Sequence, residues 1–299
     1  MKKVLLLTVL MLISISVAKA GQQAISVDAY TEGCYLYSLG DTINAVKYFQ
    51  KAAKAGSKEG LYSLGLCMLN GFGIKTDQKE GLKMIKKAAE SGEPDALYFL
   101  GTLHETGDLG YTVNNTEALK YYQEASSAGC FDGHVACGNM YLLSADTLMT
   151  IVYWTKAVAE APEFPTEDQK ETLALIAYNL GVFYQYGCGT ECDLFEASLY
   201  YKNSIYYGNN KDAAFQLGLI SLDDEEDPDL DNATYYLTLA AEVGNTDAYL
   251  SLGHIERLNG NDDQALIYYL AAGQSGNTNG MYCAASLYFE REEYNSSIY

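Results

Sequence analysis

The chain has 299 residues, 48% hydrophobic and 19% charged, with four prolines against 27 glycines. That balance excludes wholesale disorder, a proline-rich linker and a collagen. A formal net charge of -20 repels phosphate backbones and sets the chain against nucleic acid as a partner.

Taken in order, the first element is an address. Lys2 and Lys3 precede an apolar run from Val4 to Val17, and Ala18-Lys19-Ala20 gives a small-x-small cleavage site. The run is too short to span a bilayer comfortably. Residues 1–20 are therefore expected to be a secretory signal peptide, which makes the mature chain secreted or periplasmic. No second long apolar run follows, so no transmembrane segment is expected in the remainder.

From there the chain repeats. A glycine inside an apolar segment recurs at Gly33, Gly65, Gly101, Gly138, Gly181, Gly218 and Gly253, at intervals of 32 to 43 residues. A second apolar segment follows each, carrying Tyr48-Phe49, Met84-Ile85, Tyr121-Tyr122, Tyr153-Trp154, Tyr200-Tyr201, Tyr236-Leu237 and Tyr268-Tyr269 in turn. Most repeats close on another glycine: Gly56, Gly92, Gly129, Gly208, Gly244 and Gly276. A fixed period of about 20–50 residues signals a solenoid or array. The apolar spacing is helical rather than alternating, so each repeat reads as two helices and no strand is expected. A mid-helix glycine costs about 1 kcal/mol against alanine. Paying that in every repeat implies that the partner helix comes too close for a Cβ. Small pairs such as Ala52-Ala53, Ala88-Ala89 and Ala240-Ala241 are expected to face the neighbouring helix, and the closing glycines to supply left-handed C-caps.

The loop between the two helices is bracketed by glycines in three repeats: Gly71-Phe72-Gly73, Gly107 to Gly110, and Gly187-Cys188-Gly189. A phosphate-binding loop needs a following Gly-Lys-Ser/Thr, which is absent, so these read as helix–helix turns. The fifth repeat runs Leu180-Gly181, Tyr184, Gly187, Gly189, Asp193, Ala197 and Tyr200-Tyr201. The second runs Leu64-Gly65, Gly71, Gly73-Ile74, Asp77 and Lys87-Ala88-Ala89, then Gly92. This pattern resembles the Sel-one-like repeat family, a relative of the tetratricopeptide repeat, from about residue 28 to 299. The resemblance implies an all-α fold: a right-handed α/α solenoid of about seven helix pairs plus a partial last repeat, in a single domain over 21–299. It also implies a scaffold that holds other proteins on its concave surface. The fourth repeat departs most, ending in Ala161-Pro162, and the fifth is reached through an insert from Glu163 to Thr172. Residues 161–172 are thus a candidate hinge.

Seven cysteines leave at least one unpaired in a secreted chain. Cys188 with Cys192, and Cys130 with Cys137, are candidate local disulfides. Cys34, Cys67 and Cys283 sit on apolar helix faces and read as buried thiols. No metal ligand set or cofactor motif is evident. His104 begins a His-Glu pair like that of a zinc protease, without the second histidine. It stands at the repeat position of Tyr141 and Tyr184, which favours packing. No nucleophile motif occurs, so no enzymatic activity is expected.

Charge is uneven. Residues 41–92 carry a net +4, and residues 160–299 a net -19. The run from Asp223 to Asp229 lacks the spacing and glycine of an EF-hand and reads as a solvated loop, with a weak Ca²⁺ site as a minor alternative. The acidic part suits a basic partner. Three residues before each register glycine stand Tyr30, Tyr62, Tyr98, Val135, Tyr178, Phe215 and Leu250, with Tyr282 in the last repeat. Stacking would align them in a column along the first helices. Tyr30, Tyr62, Tyr98, Tyr178, Phe215 and Tyr282 are the candidate partner-binding residues, since a tyrosine offers an apolar face and a hydroxyl to a peptide or glycan. Packing between repeats is the competing role. The sequence therefore reads as a protein-interaction scaffold. The alternative is an envelope hydrolase or a peptidoglycan- or glycan-binding protein with a composite site. Finally, Ala285 aligns on Gly253 and Ser297 on Ala265, so the last repeat reads as unfinished, with Tyr282, Leu287, Tyr288 and Phe289 partly bare.

Overall fold

A computed structural model describes residues 23–223 and 228–297, with side chains as far as Arg291. The expected leader and residues 224–227 of the acidic run lie outside the described residues. Among the described residues all regular structure is helical. The chain forms two compact bodies that divide after Met140. The first holds α1 (23–38), α2 (Thr42–Lys54), α3 (Lys58–Asn70), α4 (Gln78–Glu90), α5 (Pro94–Thr106), α6 (Asn115–Ser127) and most of α7 (Phe131–Leu143). The second holds α8 (Thr147–Ala159), α9 (Glu167–Tyr186), α10 (Leu194–Gly208), α11 (Lys211–Ile220), α12 (Leu230–Glu242), α13 (Thr246–Leu258), α14 (Asp262–Gln274) and α15 (Thr278–Ser297). From α2 to α6 in the first body and from α8 to α15 in the second, each helix packs on the next, which is the helix-pair repeat of an α/α solenoid. No helix among the described residues is long and apolar enough to cross a membrane.

The second helix of most repeats starts at an Asp or Asn whose side chain accepts a backbone N–H from the first turn. Asp41 accepts from Asn44, Asp77 from Glu80, Asn114 from Glu117, Asp146 from Met149, Asp193 from Glu196 and Asp229 from Asn232, at 3.0 to 3.2 Å. Each such cap contributes about 1 kcal/mol. The register glycines do what their cost implied. A Cβ on Gly101 would lie 2.6 Å from the Tyr122 ring, and one on Gly181 2.6 Å from the Tyr201 ring. In every repeat described this way it is the second residue of the paired segment that fills the notch: Phe49, Ile85, Tyr122, Tyr201, Leu237 or Tyr269. Ala52, Ala88 and Ala240 are fully buried, as their small size predicted. The core forms as successive local clusters. Phe49, Leu64 and Cys67 make one, Ile85, Leu97 and Leu100 the next, and Leu237 and Leu252 one of those in the second body.

Two expectations need correction, at Gly208 and at Leu287. Gly208 does not form a left-handed cap: α10 continues through it, and Asn209 takes the left-handed conformation at φ 47. Asparagine tolerates that region, and the missing Cβ of Gly208 instead accommodates Ala174, which a Cβ would approach to 2.7 Å. The insert before the fifth repeat is largely helix. Thr166 and Gln169 form a capping box, and residues 167–172 are the first turns of the 20-residue α9. Leu287, expected partly bare, is 1% exposed and packs with Ala265 and Tyr269 of α14, while Tyr282, Tyr288 and Phe289 are exposed.

Candidate functional site

The column of aromatic residues three positions before the register glycines lies on the first helix of each repeat. Tyr30 packs its ring 6.1 Å from Phe49, Tyr98 5.5 Å from Tyr122, and Tyr178 5.8 Å from Tyr201. Tyr62 meets Phe99 edge-on at 6.4 Å. Phe215 packs beside the buried cluster of Leu237 and Leu252. All five are half-buried, each with a packed body and an open edge. Tyr282 stands apart, at 76% exposure.

Burial pushes the tyrosine hydroxyls above their ordinary pKa, and carboxylates of the following repeat add to the rise. Asp95 acts on Tyr62, Asp132 on Tyr98 and Asp212 on Tyr178. These phenols therefore stay protonated and remain hydrogen-bond donors. Asp132 is itself raised by burial and by Asp95. Between these carboxylates sits Cys130, whose thiol burial pushes up to about 12; its Sγ lies 3.8 Å from Asp95 Oδ1.

Beside Tyr30 and Tyr62 the structure shows a feature the sequence did not single out. Tyr37 and Cys34 of α1, Phe49 of α2, Leu66 and Asn70 of α3, and Phe72 line a notch of about 420 Å³. Tyr37 stands 6.5 Å from Phe49 and meets Phe72 edge-on at 6.3 Å. Phe72 is held there by its glycine bracket. Gly71 and Gly73 both take left-handed φ, and a Cβ on Gly73 would run into the backbone of Thr42. The signal in the sequence is Gly71-Phe72-Gly73, where the glycines of the turn fix the ring between them.

Neither candidate disulfide is formed. Cys34, expected to be buried, is an exposed thiol, as are Cys188 and Cys192, and Cys283 is partly exposed; Cys67 and Cys130 are buried. The Cys130 carbonyl accepts the His134 N–H in the first turn of α7, and Cys137 lies two turns further on. Seven helical residues rise about 10 Å, beyond the roughly 7 Å that a disulfide spans between Cα atoms. Cys192 Sγ donates to the Gln185 carbonyl at 3.1 Å. The histidines pack as their repeat positions implied. His104 stacks on Tyr121 at 5.5 Å, as Tyr141 does on Tyr153 and Tyr184 on Tyr200. His134 Nδ1 lies 2.8 Å from Ser126 Oγ, and His254 Nδ1 3.0 Å from the Tyr269 hydroxyl. Among the described residues no three His, Cys, Asp or Glu side chains converge as a metal site.

A family model described as Sel1 repeat matches residues 33–57, 58–93, 94–130, 176–201, 211–245 and 248–277, together more than half of the chain. The longest internal stretch it leaves unmatched, 131–175, holds the fourth repeat, the most divergent in sequence. Solved structures with a similar fold include a Sel1 repeat protein from Oxalobacter formigenes, at 23% identity and a TM-score of 0.52 over 82% of this chain and 99% of that one. Another is a protective antigen present in uropathogenic Escherichia coli strains that displays an SLR fold. It is 24% identical, with a TM-score of 0.50 over 89% of this chain and 65% of that one.

Proposed function

The chain belongs to the Sel1 repeat family, and from that premise we propose that it is a non-catalytic scaffold, secreted or periplasmic, which holds a protein partner along its first helices. The observation that carries this reading is the aromatic notch beside Tyr30 and Tyr62. It is an open apolar recess of about 420 Å³ walled by three rings, in the size range of sites that take a side chain or small ligand. In the first body Tyr62 and Tyr98 add half-buried rings that bring contact area at little entropy cost, with hydroxyls that stay protonated. Carboxylates beside those hydroxyls and the net charge of -20 favour a basic partner. The apolar run and small-x-small site at 4–20 support export.

The test is crosslinking in the native organism followed by mass spectrometry, with the wild-type chain and a Tyr37→Ala/Phe72→Ala variant side by side. Both rings are partly exposed, so the variant should keep its helical circular dichroism. The reading requires one defined partner that crosslinks to wild type and is lost from the variant. A partner retained undiminished by the variant would refute the notch as its site.

A further inference from the structure

The second-helix row of the first body is charged against the trend of the chain. Lys47, Lys51 and Lys54 stand on α2, Lys79, Lys83, Lys86 and Lys87 on α4, and Lys120 on α6. All eight are exposed. The same three helices carry four acids: Glu80, Glu90, Glu117 and Glu124. The first helices reverse the balance. Across α1, α3, α5 and α7, Lys58 alone stands against Asp28, Glu32, Glu59, Asp95, Glu105 and Asp132. The first body is therefore polarised by row, basic on the second helices and acidic on the first.

The lysines form a face, not a scatter. Lys47, Lys51 and Lys54 are four and three residues apart, which lines them along one side of α2. Lys79, Lys83 and Lys86 repeat that spacing on α4. Consecutive second helices lie side by side. Met84 of α4 packs on the cluster of Val46 and Phe49 from α2, and Tyr121 of α6 on the cluster that holds Ile85 and Ala88 of α4. Lys47, Lys83 and Lys120 occupy one repeat position, two residues past the buried Ala45, Gly81 and Ala118. The fold does not demand lysine there, since the second body has Val152, Leu199, Tyr235 and Ile267 at that position, all exposed. Among the described residues Lys83 pairs with Glu80 at 3.1 Å and Lys120 with Glu117 at 3.5 Å, and the other six lysines of the row make no ion pair. The recess between the α4 lysines has Leu82 as its apolar liner and no buried donor, so it offers no seat for a single small anion.

We propose that this lysine face docks on an anionic phospholipid surface. Unpaired cations spread over a helix face, with no pocket among them, fit many anions spread over a plane. Lysine suits such a layer, because a hydrated point charge meets phosphates from any direction, whereas the arginine fork pairs with one carboxylate at a time. The chain uses the two residues in that way. Its two arginines, Arg257 and Arg291, lie in the second body, and each is paired with a carboxylate at 2.9 Å. Ile43, exposed one turn before Lys47, adds an apolar side chain that a headgroup layer accepts. The overall negative charge does not forbid the contact. Screening at physiological salt acts within about 8 Å, and the acids of the first helices stand behind a helix layer about 10 Å thick.

The experiment is flotation with lipid vesicles, using the chain from residue 21, the form that loss of the expected leader leaves. Vesicles of phosphatidylcholine mixed with phosphatidylglycerol should carry the chain up, and vesicles of phosphatidylcholine alone should not. Raising the salt from about 0.1 M to about 1 M, which shortens the screening length from about 10 Å to about 3 Å, should release it. Each neutralised lysine should weaken binding about fivefold, so Lys47→Gln/Lys51→Gln/Lys87→Gln should weaken it about a hundredfold. These side chains are exposed and outside ion pairs, so the variant should keep its helical circular dichroism. Should it unfold, the three single changes decide, at about fivefold apiece. Lys156→Gln/Lys202→Gln, in the second body, should bind as wild type does. Failure to float with the anionic vesicles at the lower salt would overturn the proposal. So would equal flotation with the neutral ones, or undiminished binding by the folded lysine variants. Polyglutamate stands in for an acidic protein: if it strips the chain from the vesicles at a lower concentration of charge than the lipid presents, the face belongs to such a protein and the proposal is wrong. The partner-binding face of the first helices takes no part in these measurements, so their failure leaves the scaffold reading standing.

Discussion

Glu93 is the most exposed point of energetic strain to experiment, because a single isosteric change removes it. It occupies the N-cap position of α5 at 5% exposure, yet its side chain caps nothing, and its Oε2 accepts no hydrogen bond. Lys58 Nζ lies 3.5 Å from that oxygen, while its own hydrogen bond goes to the Gly92 carbonyl at 2.7 Å. Burial pushes the Glu93 carboxyl from the ordinary 4.5 up to about 7; Lys58 opposes the rise, and Glu59 and Asp95 add to it. An acid with a raised pKa holds, in the fold, a proton that the unfolded chain has already released. Stability therefore falls as pH rises from about 4.5 to about 7, and below 4.5 the effect is gone. At about 1.36 kcal/mol per pH unit, ionised Glu93 costs the native state about 3 kcal/mol at pH 8.

Glu93→Gln mimics the protonated acid at every pH. Urea unfolding followed by circular dichroism at pH 4 and at pH 8 should give nearly equal midpoints for the two proteins at the lower pH. At pH 8 the variant should be the more stable by up to about 3 kcal/mol. All other titrating groups are common to both proteins and cancel. A variant less stable than wild type at pH 8 would mean that the Lys58 pair outweighs desolvation. An offset equal at the two pH values would mean that Glu93 does not titrate in this window. Either result refutes the reasoning.

Gly101→Ala gains about 1 kcal/mol of helix propensity but drives a Cβ to 2.6 Å from Tyr122, where overpacking costs about 1–3 kcal/mol; calorimetry should show a lower Tm, and a raised one would contradict the close approach. Asp193→Ala should lower stability by about 1 kcal/mol, since it removes a cap that accepts two backbone N–H groups of α10; an unchanged unfolding midpoint would count against it. A thiol reagent should modify Cys34, Cys188 and Cys192 rapidly in the native protein and reach Cys67 and Cys130 only after unfolding; prompt reaction of Cys130 would contradict its burial.

The repeat was legible because its signal is steric. A glycine in mid-helix is informative wherever a ring on the partner helix needs the space, and Phe49, Tyr122 and Tyr201 stand there. What escaped the sequence reading depends on contacts that no period encodes. Gly208 looks like the other closing glycines, and only the approach of Ala174 and the tolerance of Asn209 for a left-handed turn carry α10 past it. The start of α9 was hidden because Thr166 and Gln169 cap each other in a segment with no repeat partner. The third repeat adds an effect of loop length. His104 stacks on Tyr121 as its repeat position implies, and its edge contact with Tyr111 exists only because the loop from Gly107 to Asn114 is one residue longer than that from Gly71 to Asp77.

The tyrosine column shows why packing and binding are poor alternatives here. Tyr98 leans on Tyr122 and Tyr178 on Tyr201, the same rings that press into Gly101 and Gly181. Each column ring therefore braces the contact that defines its repeat, and its open edge is what packing leaves over. Replacing Tyr62, Tyr98 and Tyr178 together by Ala would remove both roles at once, and a loss of partner capture would not be interpretable if the helical signal fell with it. The clean perturbation is the triple change to Phe. It keeps each ring against its neighbour and deletes the hydroxyls, whose pKa burial raises first and Asp95, Asp132 and Asp212 raise further. If the column binds through those donors, the triple Phe variant should match wild type in Tm and bind the crosslinked partner more weakly, by about three- to tenfold for each hydrogen bond lost. Undiminished partner affinity in a fully folded Phe variant would assign the hydroxyls no role, and would leave the column to packing.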